Sequence, residues 1–284
     1  TESDSVKHLR AKGIPVAIGH NAENLGDCDL VVRTAAVHDS NPEIAGAVAR
    51  GIPVYERAQA WGGIMRGYRN ALCVSGTHGK TTTTYLLKAM REGCLHTKVG
   101  LIGTNQNLIG DEVIETERTT PESYELHALF ARMRDAGCTH VIMEVSSHSL
   151  VLDRVHGIPF AVGAFTNLTQ DHLDFHKTME NYVAAKAKLF QSLTAADHVK
   201  DNKTAIVNVD DPWSKQILDA CHCQVLTYGV EQDADLKGSN LNVELKRSSF
   251  DVVGPFVNVH LNMNITGLFN VYNTLAAIGA AHAE

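Results

Sequence analysis

The stretch Cys73–Thr84, with the sequence CVSGTHGKTTTT, constrains the fold more than any other part of the chain. A short apolar run, Ala71–Val74, precedes it, and a helical pattern begins at Lys80 after two glycines. A strand, a glycine-rich turn and a helix in this order let backbone N–H groups and the helix N-terminus approach an anion. The order therefore predicts a phosphate-binding turn, which we call the glycine loop (residues 76–79).

Side chains beside this loop are suited to binding a nucleoside triphosphate. Lys80 would reach the terminal phosphates, and the hydroxyl of Thr81 would ligate Mg²⁺. The general P-loop pattern has a glycine five residues before Gly79, where this chain has Val74. An alternative interpretation is a Gly- and Thr-rich turn with an exposed lysine. The strand–turn–helix context favours the nucleotide site.

Composition excludes several other classes of protein. The 284 residues are enough for two domains, and the formal net charge of −7 argues against general nucleic-acid binding. No apolar run approaches the ~20 residues that span a membrane, and no signal peptide is recognisable. We therefore expect a cytoplasmic monomer that binds neither nucleic acid nor a membrane.

The cysteines and histidines do not predict a metal site of their own. None of the six cysteines forms C-x-x-C, so they are expected to be reduced thiols. The cluster Cys221-His222-Cys223 suggests metal, but three adjacent residues cannot complete a tetrahedral zinc site. The fifteen histidines are too dispersed for a metal-storage protein.

Strand and helix signals alternate in residues 1–70, which predicts a parallel sheet. The predicted strands are Ile14–Ile18, Leu30–Thr34 and Ile52–Tyr55. The predicted helices are one capped by Ser3 or Ser5, one from Asn41 to Gly51, and Ala58–Gly67. A doubly wound nucleotide domain opens with a strand and a Gly-rich turn, which would lie before residue 1. These residues are therefore predicted to form a partial Rossmann-like domain.

Residues 71–284 are predicted to form a second, parallel α/β domain. Further predicted strands are His140–Val145, Phe160–Thr166, Thr204–Val209 and Gln224–Tyr228. Predicted helices are Tyr124–Ala136, Met179–Leu193 and one that Gly267 opens. Partial alternation over residues 241–265 indicates an antiparallel appendage.

The segment GTHGKTTTT resembles the ATP loop of the Mur ligases, which build the peptide of bacterial cell-wall precursors. The resemblance implies an ATP-dependent ligase that joins an amino acid to a UDP-muramoyl carboxylate through an acyl-phosphate. It implies Lys80 as a catalytic residue. It also implies ATP contacts from the loop and the start of the helix, namely Gly76, Thr77, His78, Gly79, Lys80, Thr81 and Thr82. Family members have a third domain after the last helix, and we expect this chain to lack it.

The two parts of the chain resemble different branches of this family. His78 and several stretches of residues 1–84 resemble the branch that adds L-alanine to UDP-N-acetylmuramate. Those stretches are Ser3–Ser5, Ile18–His20, Thr34–Val37, Asn41–Glu43 and Gly51–Val54. His20 is either a uridine contact or a loop histidine. From about Tyr85, including Lys98–Thr104, the chain resembles the branch that adds a diamino acid to UDP-N-acetylmuramoyl-L-alanyl-D-glutamate. A natural hybrid, an engineered chimera and a misjoined sequence stay open as origins.

Two segments of the second domain are candidates for substrate binding. Pro121 and Glu122 give a good helix start, and the alternative is that Thr119, Thr120 and Glu122 only cap this helix. The resemblance implies that this motif contacts the muramoyl peptide. It further implies that Ser146 and Arg154 hold the acidic groups of that substrate.

Glu144 and the polar loop after residue 166 are candidates for metal and nucleotide binding. A carboxylate inside an apolar run is costly unless paired or bound to metal, so Glu144 is a Mg²⁺ ligand or part of a structural salt bridge. The resemblance implies Mg²⁺ at Glu144 and a second Mg²⁺ at His172, itself a catalytic residue. It implies that Asn167 and Asp171 shape the nucleotide site.

The two remaining candidate sites lie on helices. The resemblance implies that Lys186, rather than Lys188, is catalytic, carbamylated by CO₂ and a ligand of the second Mg²⁺. The alternative is a surface lysine. Asn270 and Asn273 lie three residues apart on one helix face. The resemblance implies that both asparagines contact the adenine of ATP. The alternative interpretation is a helix cap with an exposed amide.

Taken together, the substrate motifs favour a ligase that adds meso-diaminopimelate or L-lysine to UDP-N-acetylmuramoyl-L-alanyl-D-glutamate, using ATP and two Mg²⁺ ions. One alternative is the ligase that joins L-alanine to UDP-N-acetylmuramate. Another is a catalytically silent nucleotide-binding module. Folylpolyglutamate synthase shares the ATPase architecture, but the TTPES and EVSSH segments fit it less well.

Overall fold

The computed structural model describes residues 4–34, 37–56, 60, 71–193 and 203–283. The chain divides into two compact units, Thr1–Trp61 and Gly62–Glu284. Ser3 and most of the predicted helix Ala58–Gly67 lie outside the described residues. The predicted domain boundary between residues 70 and 71 borders an undescribed stretch and stays a prediction. Within the described ranges, no helix is both long and apolar enough to cross a membrane.

The first unit contains a small parallel β–α–β arrangement. Its elements are helix α1 (Asp4–Ala11), a 3₁₀ helix (Ala22–Leu25), strand β1 (Val31–Arg33), helix α2 (Pro42–Ala49) and strand β2 (Val54–Glu56). Strands β1 and β2 pair in parallel. The Asn41 side chain accepts a hydrogen bond from the Glu43 N–H, and Pro42 occupies the first turn, so α2 begins where predicted.

The predicted strand Ile14–Ile18 is wrong. The structure has no strand there, and Ile14 and Ile18 are 46% and 71% exposed. Pro15 lacks the N–H that a sheet ladder requires, so the run is a poor strand in spite of its apolar residues. The strands predicted near residues 30–34 and 52–55 are confirmed as β1 and β2.

The second unit is built around one large mixed sheet. Its described strands are β3 (Ala71–Ser75), β4 (Val99–Ile102), β5 (Asn107–Ile109), β6 (Glu112–Ile114), β7 (His140–Glu144), β8 (Phe160–Phe165), β9 (Thr204–Asn208), β10 (Gln224–Gly229), β11 (Leu236–Val243), β12 (Ser248–Gly254) and β13 (Val257–Met263). Its described helices are α3 (Lys80–Leu95), α4 (Ser123–Asp135), α5 (Ser147–Val151), α6 (Leu173–His176), α7 (Met179–Ser192), α8 (Ser214–Asp219) and α9 (Leu268–His282).

The strand order is β13-β12-β11-β10-β9-β8-β3-β7-β4-β5-β6. In the centre of the sheet, the neighbouring strands β11-β10-β9-β8-β3-β7-β4 all pair in parallel. At one edge β5 and β6 pair antiparallel, and at the other edge β12 and β13 do so. Every residue of β3, β7, β8 and β9 is buried, as expected for parallel strands covered on both faces. Strand β12 pairs antiparallel with both β11 and β13, which confirms the antiparallel appendage predicted over residues 241–265.

Two hydrophobic cores cover the two faces of this sheet. Alternate residues of β3 serve each core, with Ala71 and Cys73 on one face and Leu72 and Val74 on the other. Helices α4 and α7 contribute to the first core, and α3 and α9 contribute to the second. Because β3, β7 and β8 are parallel neighbours, their carboxyl ends lie together on the same side of the sheet, where parallel sheets bind ligands.

The buried His127 on α4 predicts a pH dependence of stability. Burial lowers the pKa of His127 from 6.5 to about 4. At a pH between these two pKa values, the His127 imidazole is protonated in the unfolded chain and neutral in the folded chain. The contribution of His127 to stability is thus complete above about pH 6.5 and is lost as the pH falls towards about 4.

We expect His127→Phe to flatten the fall in stability between about pH 7 and about pH 5, measured by urea unfolding. The exposed His222 provides the control variant His222→Phe, which should keep the wild-type slope. Comparing slopes removes any constant change in stability that the new side chain causes. An unchanged slope in His127→Phe would contradict the prediction.

Candidate active site

The glycine loop connects β3 to α3 and requires glycine at both of its ends. Gly79 has φ 83°, and a Cβ there would lie 2.2 Å from Oδ1 of Asn273. A Cβ at Gly76 would lie 1.9 Å from Oγ1 of Thr166. The close approach of neighbouring side chains explains why only glycine fits at these positions.

The end of β8 holds the backbone of this loop. The side chain of Asn167 accepts a hydrogen bond from the His78 N–H (2.9 Å) and donates one to the His78 carbonyl (3.1 Å). The Thr166 hydroxyl donates to the same carbonyl (2.7 Å), and the Thr77 N–H donates to the Asn167 carbonyl (2.9 Å). The predicted site residue Asn167 therefore lies against the loop and orders it.

Two lysines converge on one carbonyl of the loop. Nζ of Lys80 donates to the carbonyls of Gly76 and Thr77, both at 3.0 Å, and Nζ of Lys186 donates to Gly76 at 2.8 Å. Burial lowers the pKa of both lysines, and the charge of Lys80 lowers that of Lys186 further. Lys186 is 1% exposed, so the alternative of a surface lysine is wrong for it, whereas Lys188 is exposed.

Glu144 lies at the end of β7 and is 1% exposed. Its Oε1 accepts hydrogen bonds from the Thr81 hydroxyl (3.0 Å) and the Thr104 N–H (2.9 Å), and its Oε2 accepts one from the Thr104 hydroxyl (2.9 Å). These donors are neutral, so they do not cancel the charge of the carboxylate. Oxygen ligands from Glu144 and Thr81, completed by water and phosphate, suit Mg²⁺.

The predicted second metal position is less enclosed. His172 has φ 53° at the start of α6, and its Nε2 lies 3.5 Å from the Asp171 carboxylate. The rings of His172 and Tyr182 are 6.2 Å apart, and Nζ of Lys186 lies 4.8 Å from the Tyr182 ring centre. Over the described ranges, no three His, Cys, Asp or Glu residues form a ready metal site. His172 and Lys186 therefore contact the same aromatic ring without forming a closed ligand set.

The predicted substrate residues also lie together. The Thr120 hydroxyl donates to the Glu144 carbonyl (2.8 Å) and accepts a hydrogen bond from the Ser146 N–H (3.1 Å). The Arg154 guanidinium donates to the Thr120 carbonyl (3.3 Å) and pairs with the Glu122 carboxylate at 2.6 Å. Arg154 thus already binds one carboxylate, the chemistry that its predicted role requires.

A second group of contacts links this cluster to neighbouring elements. Oγ1 of Thr104 lies 3.0 Å from Oγ1 of Thr119, and the Ser146 hydroxyl accepts the Ser149 N–H at the start of α5. Glu122 also takes part in a capping box at the start of α4. Glu122 therefore caps α4 and also pairs with Arg154, so its capping role does not exclude a place in the cluster of predicted substrate residues.

Asn270 and Asn273 on α9 are 8% and 2% exposed, so the alternative of an exposed amide is wrong. Nδ2 of Asn273 donates to Oδ1 of Asn270 (3.2 Å), and Nδ2 of Asn270 donates to the Thr266 carbonyl (2.7 Å). Oδ1 of Asn273 faces Gly79, as the close contact there requires. The start of α9 therefore adjoins the glycine loop.

A cavity of about 510 Å³ adjoins the first turn of α3. Its lining residues are Thr81, Thr82, Tyr85, Leu86, Asn105, Gln106 and Ile265. The predicted site residue Thr82 therefore lines open space beside the loop.

Sequence reasoning missed two residues that the structure brings into the site. Thr104 supplies two of the three hydrogen bonds to the Glu144 carboxylate. Tyr182 is 1% exposed and contacts both Thr77 of the loop and Nζ of Lys186. Its spacing of four residues from Lys186 on one helix was an available signal, because such residues share a helix face.

Comparison with known families matches nearly the whole chain. The model for the Mur ligase middle domain matches residues 74–281. The model for the catalytic domain of the Mur ligase family matches residues 1–69.

Two relatives are named as UDP-N-acetylmuramoyl-L-alanyl-D-glutamate–2,6-diaminopimelate ligases. The one from Clostridium acetobutylicum is 48% identical over 211 residues, and the one from Clostridium botulinum is 45% identical over 211 residues. Each match covers 74% of this chain and 42% of the relative. The chain therefore spans less than half the length of these relatives.

Solved structures show the same fold at lower identity. A UDP-N-acetylmuramoyl-L-alanyl-D-glutamate–2,6-diaminopimelate ligase superimposes with TM-score 0.70 at 23% identity, covering 96% of this chain and 63% of the other. A UDP-N-acetylmuramate–alanine ligase from Thermotoga maritima gives TM-score 0.51 at 22% identity, covering 98% and 56%. The predicted resemblance of the chain is therefore confirmed at the level of sequence and of fold.

Proposed function

The chain belongs to the Mur ligase family, and we propose that it serves in ATP-dependent addition of a diamino acid to UDP-N-acetylmuramoyl-L-alanyl-D-glutamate. The observation that carries this proposal is the position of Glu144. Its carboxylate accepts a hydrogen bond from Thr81 at the start of α3, and its backbone carbonyl accepts one from Thr120. A phosphate site and a carboxylate site would then be neighbours, as phosphoryl transfer to a carboxylate requires.

The proposed reaction has two steps. A carboxylate oxygen of the precursor attacks the γ-phosphorus of ATP, ADP leaves, and an acyl-phosphate forms. The amine of the diamino acid then attacks the acyl carbon, phosphate leaves, and the amine loses a proton as the amide forms. Mg²⁺, when bound, neutralises charge on the phosphates. Two such ions are proposed, held by Thr81 and Glu144 and by His172 and carbamylated Lys186.

Residues of the chain would bind and orient the nucleotide. Lys80 would exchange its two carbonyl partners for phosphate oxygens, and the glycine loop with Thr81 and Thr82 would donate hydrogen bonds to the phosphates. Asn167 and Asp171 would shape this site. Asn270 and Asn273 would lie against the adenine.

The choice of precursor is supported by relatives that are 42–48% identical and are named as diaminopimelate ligases. Meso-diaminopimelate is accordingly the first amino acid to test, with L-lysine the second. The alternative, addition of L-alanine to UDP-N-acetylmuramate, is supported by the fold similarity to an alanine ligase. Because the substrates are nucleotides and nucleotide-linked sugars, we expect the chain to act in the cytoplasm. We also propose that it acts as a monomer.

Arg154 provides a test of the proposed precursor. We expect the wild-type chain to bind UDP-N-acetylmuramoyl-L-alanyl-D-glutamate more tightly than UDP-N-acetylmuramate in calorimetry, because Arg154 would pair with the added carboxylate. Arg154→Met should weaken binding of the dipeptide precursor by about tenfold or more and leave UDP-N-acetylmuramate unaffected. The exposed Arg134 on α4 provides the control Arg134→Met.

Equal affinities for the two precursors in the wild-type chain would contradict the diamino-acid assignment. A preference for UDP-N-acetylmuramate would support the alanine branch. In the same samples, release of phosphate that requires ATP, the precursor and diaminopimelate would demonstrate ligase chemistry. Binding of ATP without phosphate release under all combinations would support a silent nucleotide-binding module.

A further inference from the structure

Tyr182 on α7 is a buried phenol at the centre of the candidate site, and the proposed reaction assigns it no role. It is 1% exposed. Its ring stacks on His176 with ring centres 4.8 Å apart and planes 20° apart. The edge of His172 and Nζ of Lys186 approach the same ring, at 6.2 Å and 4.8 Å from its centre.

The hydroxyl of Tyr182 reaches the glycine loop directly. It lies 3.2 Å from Oγ1 of Thr77. Oγ1 of Thr77 in turn accepts the Thr169 N–H (3.0 Å) and lies 3.3 Å from the Thr169 carbonyl.

The Thr169 carbonyl sets the direction of the contact between the two hydroxyls. A carbonyl oxygen only accepts, so it takes the single hydroxyl proton of Thr77. The Tyr182 hydroxyl then donates its own proton to Oγ1 of Thr77. With this arrangement each of the two hydroxyls donates once, and Tyr182 is the donor to the glycine loop.

We infer that Tyr182 is a positioning residue that holds the glycine loop in its phosphate-binding conformation through Thr77. The inference rests on the proposed function in that this loop binds the triphosphate. The Thr77 N–H is held by Asn167, so the Tyr182 hydroxyl fixes the opposite, side-chain end of the same residue. A loop held in place before the nucleotide arrives pays less ordering entropy on binding.

Tyr182→Phe tests this role, because it removes the donor and leaves the stacked ring. We expect calorimetry on the chain to give about fivefold weaker MgATP binding, the equivalent of one neutral hydrogen bond. Tyr228 provides a matched control, since it is 0% exposed and its hydroxyl donates to the Phe165 carbonyl at 3.0 Å. Tyr228→Phe should lose similar thermal stability but keep the wild-type affinity for MgATP.

A double-mutant cycle with Thr77→Val separates positioning from general destabilisation. In the Thr77→Val background, Tyr182→Phe should cause no further loss of MgATP affinity, because its acceptor is already gone. Independent losses in the two variants, wild-type affinity in Tyr182→Phe, or an equal loss in Tyr228→Phe would each overturn the inference. Failure of the wild-type chain to bind MgATP would contradict the proposed function itself, and the inference with it.

Discussion

Replacement of Lys80 by methionine is expected to abolish measurable binding of MgATP. The Lys80 ammonium donates hydrogen bonds to the Gly76 and Thr77 carbonyls, and a bound triphosphate would offer charged acceptors instead. Hydrogen bonds between ionised groups contribute about 1.5–3 kcal/mol each, so losing two of them should weaken binding by about a hundredfold or more. Methionine keeps the aliphatic stem, so packing beside the loop is preserved.

Calorimetric titration with MgATP measures this effect, and Lys80→Ala should give the same result. The control is Lys215→Met, because the Lys215 side chain is 80% exposed on α8 and should not affect binding. Thermal unfolding of each variant verifies that the fold is intact. Near-normal affinity in folded Lys80→Met would show that the glycine loop is not the phosphate site.

The second large effect is expected at Lys186, where we predict a carbamate. The neutral amine attacks the carbon of CO₂ and loses one proton, which leaves an anionic carbamate. Burial, and secondarily the charge of Lys80, lower the pKa of Lys186 well below 10.5, so more of its amine is neutral near physiological pH. Occupancy should therefore rise with pH and fall once the pH drops below the pKa of Lys186 in the folded chain.

Carbon NMR with ¹³C-labelled bicarbonate measures this modification directly. The wild-type chain should show a carbamate signal that Lys186→Met lacks and that Lys188→Met retains, since Lys188 is exposed on the same helix. If the proposed reaction occurs, phosphate release should fall by about a hundredfold or more in Lys186→Met, because a ligand of the second Mg²⁺ is gone. A carbamate signal that persists in Lys186→Met would assign the modification elsewhere.

Most of the second unit follows from local sequence patterns. Apolar runs such as Phe160–Thr166 are long enough and apolar enough to predict buried parallel strands, and the structure confirms them. The run Ile14–Ile18 carries a similar apolar signal but pairs with no strand. A run of apolar residues indicates a tendency to be buried, whereas a strand also needs a partner with free hydrogen-bonding groups.

The candidate site was predictable in part for the same reason. A carboxylate within the apolar run of β7 signals a special role, and the structure shows Glu144 buried at the carboxyl end of this strand. Tyr182 carries only the weaker signal of its four-residue spacing from Lys186, because a tyrosine on the apolar face of a helix is by itself typical of an ordinary core residue. Its hydroxyl partner, Thr77, lies 105 residues earlier in the chain.

The sequence by itself determined the strand–loop–helix unit around Gly76 and Gly79 and several of the strands and helices that follow, because spacing and turn residues act over a few positions. Only the tertiary structure decided that Lys186 is buried and Lys188 exposed, and that Lys186 and Lys80 share the Gly76 carbonyl. The contact from Lys186 to Gly76 joins residues 110 positions apart. Partners at such distances are selected by the packing of α7 against the sheet, which no local pattern contains.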